Sequence, residues 1–400
     1  MIKAMLSALL DIAEFENELA RIENWWLAHA LDRGRGGVHG EIADDNSVRK
    51  DADKGVILHT RALWFFSEVA RATSSTEAQA AACALYEFIV ERFTDADLGG
   101  LVWSLTADGA WKEDRKQVYA QAFAVYAFAA YARATDSSEA LERAIDLAAL
   151  IDGQAWDAER GGYVEAFARD WSPIDDVRLS ERDLNAPKTM NTHLHVLEAA
   201  TGLHLAAGLK DTARFLMRNI DIFSERFIAP RGDHLSLFYS MDWRDLCGDE
   251  SYGHDIEASW LLWEAAETLG DEKRLAGAKR HALALAGSTF GKAISPDGGI
   301  AFERHADARG LVGERHWWPQ TEAIVGFYNA FELSGEERFA EGAGAVWAFV
   351  KTNHIDRRHG EWTWLSAQDA PKRGPYKAGF WKGPYHNGRA MMEMMKRLSS

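Results

Sequence analysis

The stretch VYAQAFAVYAFAAYA at 118–132, followed at once by SSEALERAIDLAALID at 137–152, decides the architecture. The first is apolar on every face of a 3.6-residue repeat, so a helix built from it is buried on both sides. The second carries one charged face and one apolar face, the pattern of a surface helix. Together they form a two-layered hairpin, and the same pairing recurs along the chain. Twelve helices are predicted, at about 3–31, 50–73, 76–93, 113–135, 137–153, 187–208, 211–227, 250–270, 272–290, 316–335, 338–353 and 384–398. The even-numbered ones are the buried members.

A polar turn with one or two glycines, followed by a strand-like scrap, punctuates this pattern. It reads DRGRGGVHGE around Gly37, DADLGGLVWS around Gly100, DAERGGYVEA around Gly162, APRGDHLSLF around Gly232, SPDGGIAFER around Gly299 and DRRHGEWTWL around Gly360. Successive copies lie 61 to 70 residues apart, and each follows an odd-numbered helix. Six hairpins with apolar inner helices close most simply into an all-α (α/α)6 barrel with short β-hairpin loops. An open solenoid is the alternative, but its repeats are usually shorter, at about 33 to 47 residues. No linker, low-complexity tract or charge run interrupts residues 1–400, which predicts a single domain.

Composition narrows the function classes. The chain carries 45 Lys and Arg against 61 Asp and Glu, a net charge of −16. With no basic block, nucleic acid and anionic membranes are poor partners. The longest uncharged stretch, 117–132, is 16 residues with two glutamines, short of the roughly 18–20 apolar residues of a membrane span. The N-terminus, MIKAMLSALLDIAEFENELA, reads as an amphipathic helix rather than a secretory signal. Cys83 and Cys247 are far apart, with no metal-ligand spacing. A soluble, cytoplasmic protein, a monomer or weak homodimer, is expected. The 16 tryptophans are the departure from the ordinary, suited to an aromatic core or to stacking on sugar rings.

The first turns of all six inner helices contain polar residues unusual for buried helices: Arg61, Tyr119 and Gln121, Asn191 and His195, His254 and Glu257, Gln320 and Glu322, His386 and Asn387. Collected at one end of a barrel, they form a candidate site. His254 and Glu257 share a helix face. Of His193 and His195 only one can face the axis, and Asn191, four residues earlier, favours His195. There is no HExxH motif and no acidic ligand cluster, so a metal site is not expected. Trp317 and Trp381 adjoin the polar stations and are candidate walls for a pyranose.

MNTHLHVLEA (190–199), YGHDIEASWLLWEAA (252–266), WWPQTEAIVGFYNA (317–330) and WKGPYHNGRA (381–390), with YAQAF (119–123) and the region of Arg61, closely resemble signatures of the cellobiose 2-epimerases in the N-acylglucosamine 2-epimerase superfamily. The resemblance covers nearly the full chain. It implies an (α/α)6 barrel without metal or nucleotide cofactor, acting on the reducing-end sugar of a β-1,4-linked disaccharide. On that analogy His254 and His386 correspond to the acid/base pair. Arg61, Asn191 and His195 correspond to groups around the C1 and C2 oxygens, with Tyr119, Asp183, Glu257, Trp317 and Trp381 in binding roles; Glu322 joins these from its station. The family commonly has an aromatic residue where Ala200 stands and a cysteine where Gly383 stands, which leaves free mannose, as epimerase or aldose–ketose isomerase substrate, as the alternative.

Inverting C2 requires removing a proton from one face and returning one to the other, work for two histidines. An unperturbed imidazole pKa near 6.5 predicts one neutral and one charged partner. Glycoside hydrolysis, with Glu257 and Glu322 as paired carboxylates across the cleft, is the less favoured alternative.

Overall fold

The computed structural model describes residues 9–369 and 374–399; the expected helical residues 3–8 lie outside these. Twelve helices follow: α1 (Ile12–Trp25), α2 (Val56–Thr73), α3 (Thr76–Arg92), α4 (Val118–Thr135), α5 (Ser138–Ala155), α6 (Met190–Ala207), α7 (Lys210–Ile222), α8 (Tyr252–Leu269), α9 (Glu272–Lys292), α10 (Trp317–Ser334), α11 (Glu337–Asn353) and α12 (Tyr385–Leu398). A π-helical turn extends α1 over Trp26–Ala30 and α7 over Phe223–Phe227.

Each inner helix is joined to the outer helix after it by two residues. The first, Ser74, Asp136, Gly208, Gly270 or Gly335, is left-handed and ends the inner helix. The second begins the outer one, and Ser75, Ser137 and Asp271 cap it with a side-chain oxygen. A left-handed C-cap followed directly by an N-cap reverses the chain in the least space, so the partners lie antiparallel.

The inner helices pack in sequence, α2 on α4, α4 on α6, α6 on α8, α8 on α10 and α10 on α12, and α12 returns onto α2. The ring is therefore closed. The sixth hairpin is made by the chain ends, because outer α1 packs on inner α12.

Each glycine signature is pinched shut by one β-bridge: Leu31 with Val38, Thr94 with Leu101, Trp156 with Tyr163, Ile228 with Leu235, Ile294 with Ile300 and Ile355 with Trp362. Short strands then link neighbouring repeats. Lys54–Gly55 pairs with Ser104–Leu105, Lys116–Gln117 with Ala166–Phe167, Lys188–Thr189 with Phe238–Tyr239, Glu250–Ser251 with Glu303–Arg304, and Ala378–Gly379 with Glu41–Ile42. These pairings explain why α2, α4, α6 and α8 start two to six residues later than their periodicity predicts. The residues before them are held extended by a partner some fifty residues away, which local pattern cannot reveal.

A buried ion pair recurs at four of these junctions. Lys54, Lys116, Lys188 and Lys377 reach Asp32, Asp95, Asp157 and Asp356 of the glycine turns at 2.8, 2.9, 2.8 and 2.6 Å. Together the strands and ion pairs stiffen the end of the barrel where the inner helices begin. No helix among the described residues is long and apolar enough to cross a membrane.

Candidate active site

The polar first turns resolve into two stations. Counted from the first residue of each inner helix, and from Pro384 for α12, the fourth residues are His59, Gln121, His193, Asp255, Gln320 and Asn387; the sixth are Arg61, Phe123, His195, Glu257, Glu322 and Arg389. Two residues turn a helix through about 200°, so the stations face opposite ways.

The fourth residues look outward, onto the glycine signatures. His59 Nε2, Gln121 Oε1, His193 Nε2, Asp255 Oδ1 and Gln320 Oε1 accept the backbone N–H groups of Val38, Leu101, Tyr163, Leu235 and Ile300 at 2.7–3.1 Å. Asn387 donates to Glu361 at 2.7 Å. A Cβ on Gly37 would stand 2.6 Å from His59 Nε2, and both Gly37 and Gly162 have positive φ, so glycine is what lets the imidazole reach the next peptide. Gln121, Gln320 and Asn387, grouped with the site from sequence, are thus structural. Burial drives His59 and His193 down to about 3, keeping them neutral acceptors.

The sixth residues look inward, and Arg389 links Glu257 and Glu322 directly and His195 through Glu198. Its Nη2 donates to Glu257 Oε1 at 2.7 Å and to Glu322 Oε1 at 2.8 Å, and its Nη1 donates to Glu198 and the Tyr385 hydroxyl. Glu198 accepts from His195 Nδ1 at 2.9 Å and from the Tyr385 hydroxyl. Glu322 Oε1 lies 2.6 Å from His386 Nδ1, and its Oε2 accepts the indole N–H of Trp260 at 3.1 Å. Glu198 and Arg389 also line a cavity of about 510 Å3 reached by Trp64, Tyr126 and Glu264 from the far end of the inner helices.

Arg61 enters from α2, its Nη2 donating to the Tyr119 hydroxyl at 2.7 Å and its Nη1 to the Trp381 carbonyl at 3.0 Å. The guanidinium lies over Phe123 and Tyr385, 4.6 and 5.1 Å from the ring centres. His195 stands edge-on to Tyr119 at 4.9 Å. His254 Nδ1 lies 2.7 Å from Ser251 Oγ. Its ring centre is 4.8 Å from that of Trp318, which is 5.7 Å from that of His386, so one indole packs against both histidines. Trp317 is buried, 4.4 Å from Trp364. Trp381, half-buried, has Trp103 and Tyr119 at 5.9 and 6.4 Å. Asp183 accepts from the backbone and hydroxyl of Ser180 at 2.8 Å, and its charge acts on the Tyr119 hydroxyl. Arg61 Nε, Asn191 Oδ1 and Trp317 Nε1 are buried without a protein partner, and such groups call for a ligand or water.

The electrostatics differ from the expectation of one charged histidine. Burial takes His254 down to about 3, and burial with Arg61 and Arg389 takes His386 well below its ordinary value. Both are neutral near pH 7. The carboxylates divide instead. Burial would raise Glu198, but Arg389 and His195 outweigh it and hold it at about 2. Burial and neighbouring Glu322 push Glu257 up to about 7. Glu257, Glu322 and His386 present donor atoms within 4.8 Å of one another, a spacing a divalent cation could bridge. Arg389 already occupies the carboxylates and supplies that positive charge.

Glu198, Arg389, Trp318, Ser251 and Tyr385 were not singled out from sequence. Glu198 and Arg389 had a readable signal: each lies three residues after a station histidine, the spacing that tied Glu257 to His254.

The sequence model of the N-acylglucosamine 2-epimerase (GlcNAc 2-epimerase) family matches residues 36–390. The chain is 38% identical over 384 residues to a cellobiose 2-epimerase of Bacteroides fragilis, covering 96% of this chain and 98% of that one. It is 37% identical over 390 residues to a cellobiose 2-epimerase of Ruminococcus albus, with 96% and 98% covered. The solved structure of a cellobiose 2-epimerase from Bacillus thermoamylovorans superposes with a TM-score of 0.90 at 38% identity, covering 96% of this chain and 99% of that one.

Proposed function

The chain belongs to the N-acylglucosamine 2-epimerase family and is a sugar 2-epimerase, and from that premise we propose that it inverts C2 of the reducing-end sugar of β-1,4-linked disaccharides, cellobiose to glucosyl-mannose and lactose to epilactose. The whole chain acts as one catalytic domain, with no cofactor. The observation that carries this reading is that His254 and His386, from different inner helices, both pack against Trp318. Each has Nδ1 engaged by the protein, through Ser251 and Glu322, which leaves Nε2 for the substrate.

After ring opening, a neutral Nε2 takes the C2 proton, and the electron pair moves through C1 to give an enediolate with charge on O1. Arg61, permanently charged and fixed by Tyr119 and Trp381, neutralises that oxygen. The second histidine returns a proton to the opposite face of C2 as C1=O1 reforms. A single base would reprotonate the face it stripped. With both imidazoles neutral at rest, the spare proton resides on Glu257, whose oxygen lies 4.0 Å from His386 Nδ1, and it is shared within the cluster of Glu257, Glu322 and His386. Protonation at C1 instead would give a ketose, so isomerisation is an outcome to be tested. Hydrolysis is disfavoured because Glu257 and Glu322 share one guanidinium nitrogen instead of facing each other across a cleft.

The test is incubation with cellobiose, lactose and mannose in deuterated water without added metal. Deuterium at C2 of a 2-epimeric disaccharide is expected. Turnover of mannose alone, a ketose product or released monosaccharides would overturn the reading.

A further inference from the structure

His195 differs from the other two inward histidines in what holds it. His254 Nδ1 meets a hydroxyl and His386 Nδ1 meets a carboxylate split between three partners. His195 Nδ1 meets Glu198 Oε2, an oxygen with no other hydrogen-bond partner among the described residues. The other oxygen, Oε1, is held by Arg389 and Tyr385. Glu198 therefore reaches His195 from an anchored position. The carboxylate is ionised at every working pH because Arg389 and His195 overcome the cost of burying it, and an ionised carboxylate can only accept a hydrogen bond. Nδ1 must then carry the proton.

We infer that Glu198 is a positioning residue, holding the His195 ring with a proton on Nδ1 so that the Nε2 lone pair accepts a hydrogen bond from a sugar hydroxyl. This rests on the sugar-epimerase reading for the identity of the donor, but not for the tautomer. The same face of α6 places Asn191, whose buried Oδ1 has no protein partner, four residues before His195. The two acceptors are one helical turn apart, matched to neighbouring hydroxyls. Tyr119 and Phe123 confine the ring from the sides, at 4.9 and 4.7 Å, which leaves the flip about its Cβ–Cγ axis as the motion Glu198 must prevent.

The test compares wild type with Glu198→Gln and Glu198→Ala. Nitrogen-15 NMR of the His195 ring, recorded over a pH series, should show Nδ1 protonated in wild type and a mixture of tautomers in both variants. With cellobiose, kcat should fall by roughly 10²- to 10⁴-fold, the range for losing the carboxylate that orients an imidazole, with the larger share in kcat rather than KM. Gln keeps the side-chain volume and guards against a folding failure in the alanine variant. An Nε2–H tautomer in wild type, an unchanged tautomer in Glu198→Gln, or wild-type kcat in that variant overturns the inference. Absence of C2 exchange in wild type would instead sink the epimerase reading, while the NMR result would still decide the role of Glu198.

Discussion

His386 Nδ1 lies 2.6 Å from Glu322 Oε1, so the last inner helix and the one before it share a single acid–base unit. Glu322 faces the imidazole that must become charged when it takes a proton from carbon. Glu322→Gln keeps the shape and removes that compensation, and kcat should fall by about 10²-fold or more, as for other carboxylates behind a catalytic imidazole. Steady-state kinetics with cellobiose check this, and an unchanged kcat would remove Glu322 from the unit.

Arg61→Lys retains a positive charge but cannot hold Tyr119 and the Trp381 carbonyl with two separate nitrogens while facing the substrate with a third. The loss should appear mainly in kcat, at roughly 10²- to 10³-fold, the usual cost of an oxyanion donor.

Glu257 governs the alkaline side of the pH profile. Its carboxyl is raised to about 7, so it is protonated below that pH and loses the proton above it. The rate should therefore decline as pH rises through about 7. Glu257→Gln, neutral at any pH, should lower kcat and abolish that limb; a limb that persists unmoved assigns it to another group.

His193→Gln tests the outward station, since Gln121 and Gln320 already perform its task in neighbouring repeats. His193 is depressed from 6.5 to about 3 in the folded state, so its contribution to stability is complete above the unfolded value and drains away as pH falls toward the folded one. The stability advantage of wild type over the variant should shrink by about 1.4 kcal/mol per pH unit between roughly pH 6 and 4. Urea unfolding at several pH values measures it, and a pH-independent difference refutes it.

Lys188→Met leaves Asp157 buried with its main cation gone. Breaking one side of a buried pair costs about 3–5 kcal/mol, readable by chemical denaturation. A loss below 1 kcal/mol would show the recurring pairs to be dispensable.

The fold was legible because each layer wrote its own period: VYAQAFAVYAFAAYA has no polar face to expose, SSEALERAIDLAALID has one, and the glycine turns mark where one repeat yields to the next. What the sequence concealed was direction. Gln121 and Tyr119 are two residues apart, and nothing local says that one braces a distant peptide while the other holds Arg61. The trans-repeat strands were hidden for the same reason, since Lys116–Gln117 is extended only because Ala166–Phe167 lies beside it. Trp317 and Trp318 could not be told apart either: a helix turns about 100° per residue, which buries one against Trp364 and leaves the other against His254 and His386.

Because α12 completes the ring against α2 and α10 and is backed by α1, the ribosome delivers His386 and Arg389 last of all the groups in the cleft. A nascent chain lacking its final helix has no second imidazole, no bridge between the three glutamates and an open seam between α2 and α10. Catalytic competence and topological closure thus arrive in one event, and a chain cut short near its end is left with neither.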